Sequence, residues 1–104
     1  MNIESPFSPI EDIVSDIKDG KMVIITDDAD RENEGDLIVG AQCITPEIVN
    51  FMTKIGRGLI CSPITEPVAE RLELPMMVPN NRESFKTNFT VSVDAAKGIT
   101  TGIS

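Results

Sequence analysis

The chain has 104 residues, nine Lys and Arg against seventeen Asp and Glu, a net charge of −8 and no histidine. That length suits one small domain, and the acidic balance argues against a nucleic-acid backbone or an anionic membrane as partner. Two cysteines without a CxxC pair are too few for a disulfide scaffold and, with no histidine, leave no structural zinc site.

In chain order, "SPFSPIEDIVSDIKDG" predicts a helix. Ser8 is the expected N-cap, Pro9 the first helical residue, and Glu11 the partner of a capping box. Ile10, Ile13, Val14 and Ile17 recur at helical spacing, and Gly20 is the expected stop. "KMVIIT" over 21–26 predicts a buried strand, the acidic stretch after it a loop, and "DLIVGA" a second strand over 36–40. "TPEIVNFMTKIG" predicts a helix capped by Thr45, opened by Pro46 and closed by Gly56. "GLICS" reads as a strand over 58–62, "TEPVAERLEL" as a short helix capped by Thr65, and "PMMVPNNRESFKTN" as an irregular loop. "FTVSVD" alternates as a half-buried strand over 89–93 does, and Ser104 reads as the N-cap of a helix that would follow. Strands and helices alternate, so the expected class is α/β or mixed α+β, a mixed β-sheet flanked by helices. The apolar runs are too short for a membrane-spanning helix, and "MNIESPFSPIED" lacks a secretory signal. The expected location is the cytoplasm.

The chemistry is concentrated in "TDDADRENEGD", residues 26–36. Residues 27–36 hold six acids and one base, whereas the rest of the chain holds eleven acids and eight bases. Clustered carboxylates in a loop after a buried strand suit a hard divalent cation such as Mg²⁺, which takes oxygen ligands. The order of acids does not match an EF-hand loop. The plainer alternative is a solvated acidic turn. Arg31 either pairs with its neighbours Asp30 and Glu32 or holds an anion beside the cation. Cys61 at the end of an apolar run and Cys43 read as small packing residues. The hydroxyls and amides of "GITTG" could hold phosphate, although a plain turn is the favoured reading.

"DDADRENEGDLI", "GLIC", "LPMMVPNN", "TNFTVSVDA" and "GITTGIS" occur here in the order found in the 3,4-dihydroxy-2-butanone 4-phosphate synthase family, which the chain resembles from about Ile10 to Ser104. The resemblance implies a lyase of riboflavin biosynthesis. Such an enzyme converts D-ribulose 5-phosphate into L-3,4-dihydroxy-2-butanone 4-phosphate and formate with Mg²⁺ or Mn²⁺. It also implies a homodimer of three-layer α/β architecture, sometimes fused to a GTP cyclohydrolase II domain. By the same resemblance Glu32 is a metal ligand. Arg31, Glu32 and Asp36 contact substrate, Asp30, Glu34 and Cys61 line the site with catalytic roles, and Thr100 and Thr101 lie near the substrate. A divalent ion bound to vicinal oxygens would stabilise the enediolate of such a reaction, and nearby carboxylates would shuttle protons.

The family domain is about twice this length, and its second half brings a metal-binding His, an Arg for phosphate and a catalytic Glu. The chain has no histidine. The expectation is therefore one domain over 1–104 that corresponds to the N-terminal half of the family domain. The reading from another class is a non-catalytic acidic module that binds a divalent cation or a basic partner through residues 27–36.

Overall fold

The computed structural model describes residues 5–80 and 87–101. Two compact units divide it, Met1–Ser62 and Pro63–Ser104. The first unit opens with helix α1, Ile10–Lys18. Pro9 is its N-cap, and no side chain caps it; instead the amides of Asp12 and Ile13 both donate to the Pro9 carbonyl, at 3.1 and 3.3 Å. The expected Ser8–Glu11 capping box does not start this helix, which begins one residue later with Pro9 at the N-cap. Its end matches the sequence reading. The Gly20 amide donates to the Ile17 carbonyl and the Lys21 amide to Asp16, at 3.1 and 2.9 Å, while Gly20 takes φ +79°. These paired bonds around a left-handed glycine form a Schellman motif.

Strand β1, Val23–Thr26, pairs antiparallel with β2, Gly35–Ile38, in a two-stranded sheet. The register sets Val23 against Ile38, Ile25 against Asp36 and Thr26 against Gly35. Val23 is the one buried hydrophobic residue among those described, 6% exposed, whereas Ile24 on the opposite face is 66% exposed. The expected buried strand is thus buried at Val23 alone, since Ile25 on the same face is 42% exposed. α1 touches β1. A short 3₁₀ turn, Ala41–Cys43, leads to α2, Pro46–Phe51. The expected Thr45 cap is present, its hydroxyl accepting from the Ile48 amide at 3.2 Å. The helix then widens into a π turn, Met52–Gly56, that contacts β2. The fit there is tight, because a Cβ on Gly56 would come 2.7 Å from Leu37 Cδ1. Arg57, not Gly56, carries the left-handed exit at φ 58°.

Two strand expectations are corrected. Residues 58–62 form no strand, and Leu59 is 74% exposed. In the second unit residues 89–93 contribute a single bridge, Met76 to Thr90, flanked by bonds from the Met77 amide to Phe89 and from the Val91 amide to Pro75, both 2.9 Å. Apolar patterning measures fitness for burial, but a strand exists only where a neighbour receives its backbone bonds. The helix after Thr65 is present as α3, Glu66–Arg71, with Thr65 at the N-cap and no side-chain cap bond. Of the loop after Leu74, residues 81–86 lie outside the described residues, as does Ser104. The result is a partial α/β fold, helices with a two-stranded antiparallel sheet.

Gly20→Ala in the intact gene product places a Cβ 3.2 Å from Cys43 Sγ at a left-handed position. The expected loss is about 1–2 kcal/mol, read from the urea midpoint. The exposed apolar faces carry a second expectation: the 104-residue polypeptide alone should bind ANS and associate. A monodisperse species with a cooperative thermal transition and no dye binding is the contrary result.

Candidate active site

The acidic stretch connects β1 to β2. The Asp27 amide donates to the Glu34 carbonyl at 3.2 Å, which carries the ladder one rung beyond the sheet. Inside that rung the Arg31 and Asn33 amides both donate to the Asp28 carbonyl, at 3.0 and 3.2 Å. Asn33 closes the turn at φ 54°, a conformation that asparagine tolerates better than most residues.

One carboxylate turns inward. Asp27 Oδ2 accepts from the Glu32 amide at 2.9 Å and from Arg31 Nη1 at 3.0 Å, and Asp27 Oδ1 accepts from the Glu34 amide at 2.9 Å. Arg31 Nη1 also lies 2.7 Å from Glu32 Oε1. The guanidinium therefore bridges Asp27 and Glu32, and two backbone donors further offset the charge of Asp27. The amides of Glu34 and Glu32, then Arg31, hold the Asp27 carboxyl below its ordinary 3.8. Asp27, with Glu32 close behind, raises Arg31 above its ordinary value.

The loop brings Arg31, Glu32 and Glu34 together around Asp27. Asp30 is exposed in the same loop, and Asp36 is exposed on β2 opposite Ile25. Cys61 is also exposed, its thiol donating to the Leu59 carbonyl at 3.8 Å, so the packing reading fails for it. Cys43 does pack, lying where a Cβ on Gly20 would touch it. Thr100 and Thr101 are exposed in the second unit, described by itself. Among the described residues no three His, Cys, Asp or Glu side chains gather to hold a metal. The acids thus form no closed cage. One carboxylate presented to solvent still fits Mg²⁺, which uses one or two carboxylates and keeps water or substrate in its other positions. Sequence reasoning missed Asp27. The available signal was an Asp at a strand end opening a loop, since such side chains bond to backbone amides a few residues on.

The model of the 3,4-dihydroxy-2-butanone 4-phosphate synthase family matches residues 11–104. The chain belongs to that family. A 3,4-dihydroxy-2-butanone 4-phosphate synthase of Neisseria meningitidis serogroup B is 60% identical over 100 residues, covering 96% of this chain and 28% of that protein. Riboflavin biosynthesis protein RibBA of Aquifex aeolicus is 52% identical over 103 residues, covering 97% of this chain and 25% of its own length. Of solved synthases, the two-domain RibBX of A. baumannii is 51% identical with a TM-score of 0.77, covering 92% of this chain and 28% of that one. A synthase in complex with two magnesium ions is 44% identical with a TM-score of 0.85, covering 94% of this chain and 46% of that one. The chain thus spans about a quarter of the curated synthases it matches. Among the described residues no helix is long and apolar enough to cross a membrane.

The lowered Asp27 value sets a pH dependence. The stabilisation is complete above the unfolded value of 3.8 and is lost as pH falls through the lower folded value. The Glu32 and Glu34 amide resonances should therefore shift together, with a shared midpoint below 3.8. Independent midpoints at or above that value are the contrary outcome.

Proposed function

We propose that this chain supplies the acidic loop of a 3,4-dihydroxy-2-butanone 4-phosphate synthase, which converts D-ribulose 5-phosphate into L-3,4-dihydroxy-2-butanone 4-phosphate and formate in riboflavin biosynthesis. The observation that carries the reading is family membership over residues 11–104 with the acidic loop folded as one ordered turn. The residues form one domain, the N-terminal part of the synthase domain, and the working enzyme is a cytoplasmic homodimer.

Glu32 is the protein ligand from this chain to Mg²⁺ or Mn²⁺, a reading supported by the magnesium held by a solved relative. When bound, that ion supplies positive charge beside the sugar carbonyl and its neighbouring hydroxyl, where negative charge develops as a proton leaves. Arg31, held against Glu32, orients the anionic substrate. Asp36 contacts substrate hydroxyls. Asp30 and Glu34, both open to solvent, move protons, and Cys61 lines the site. Thr101 contacts the substrate, and Thr100 lies near it. The non-catalytic acidic module is not favoured, because the match extends well beyond the loop.

Two substitutions in the intact gene product test the assignments. Glu32→Gln keeps the size and removes the charge, so formate release from ribulose 5-phosphate should be abolished. A near-normal rate at saturating Mg²⁺ would defeat the ligand assignment. Cys61→Ser should lower formate release while the melting temperature stays within a few degrees of the parent, given that Cys61 is exposed. A parallel fall of both would make Cys61 a packing residue.

A further inference from the structure

We propose that Asp27 is the positioning residue of the acidic loop: it sets the aim of Glu32 and Arg31 by binding their segment of backbone and the guanidinium, and does not itself touch metal or substrate. The inference rests on the reading of Glu32 as metal ligand. Its support is geometric. Both Asp27 oxygens are engaged, Oδ1 by the Glu34 amide and Oδ2 by the Glu32 amide and Arg31 Nη1, at 2.9, 2.9 and 3.0 Å. Its side chain is 24% exposed against 54% for Arg31 and 34% for Glu32, so it lies under the residues it holds. Its own amide closes the last rung of the hairpin. The carboxylate is therefore fixed to the sheet at one end and to the two flanking acids at the other. Through Arg31 it also reaches the Glu32 carboxylate, whose Oε1 is 2.7 Å from the same guanidinium nitrogen. Groups that orient a metal-binding side chain in this way control affinity without coordinating the ion.

The test uses the intact gene product with Mn²⁺ alone as probe, its binding followed by electron paramagnetic resonance, beside amide exchange at Glu32 and Glu34. Asp27→Asn keeps the size and one acceptor oxygen but loses the charge and the second acceptor. The expected result is at least about a tenfold rise in the Mn²⁺ Kd, faster exchange of both amides, and a lower kcat with a raised KM for ribulose 5-phosphate, since Arg31 loses its anchor along with Glu32. Asp27→Ala, which retains no acceptor, should show the larger change in each readout. Should the Ala variant fail to fold, the Asn variant decides. Faster amide exchange with parental Mn²⁺ affinity and kcat would reduce Asp27 to a structural role and overturn the proposal. So would unchanged exchange. If the parent protein releases no formate, the synthase reading fails. The Mn²⁺ and exchange measurements would still decide whether Asp27 aims Glu32.

Discussion

Six carboxylates in ten residues repel one another, and the folded loop depends on how one of them, Asp27, is used. Three donors converge on it, two of them backbone amides that no substitution except proline removes. Backbone donors are fixed in direction and cost no side-chain entropy to aim. The one cation of the segment is shared between Asp27 and Glu32. Asp30 and Asp36 are exposed.

The loop's precision is inherited from the hairpin. A four-rung ladder from Val23–Ile38 to Thr26–Gly35 brings residues 27 and 34 face to face, and a one-residue slip would turn Asp27 away from both amides it accepts. The hairpin in turn is held by α1, stopped sharply at Gly20, and by the turn Met52–Gly56, whose glycine lets it approach Leu37. Little of this is buried: Val23 is the sole core residue among those described. Large apolar side chains such as Ile24, Ile55 and Leu59 remain open, in a chain that spans about a quarter of the curated synthases it matches.

The helices were readable because their signals are local. Pro46 behind Thr45 and a glycine after α1 act within one turn of chain, and both operate where the sequence puts them. The Ser8 cap failed because the N-cap position falls on Pro9, whose side chain has no acceptor to offer. Strands are not local. "GLICS" and "FTVSVD" have the right composition, but nothing in composition names the segment that will bond to them. Among the described residues only 23–26 and 35–38, separated by a loop short enough to fold back, found each other as a ladder.

By itself the sequence determined the fold class and the family, because element alternation and motif order are properties of the chain, and its charge density marked the acidic loop as the candidate site. It could not rank the six acids of the loop, which are chemically near-equal in one dimension. Tertiary structure decided that Asp27 turns inward, that Arg31 bridges it to Glu32, and that Cys61 stays exposed. The reason is geometric: strand register fixes which backbone amides point into the loop, and the carboxylate nearest to them is the one they bind.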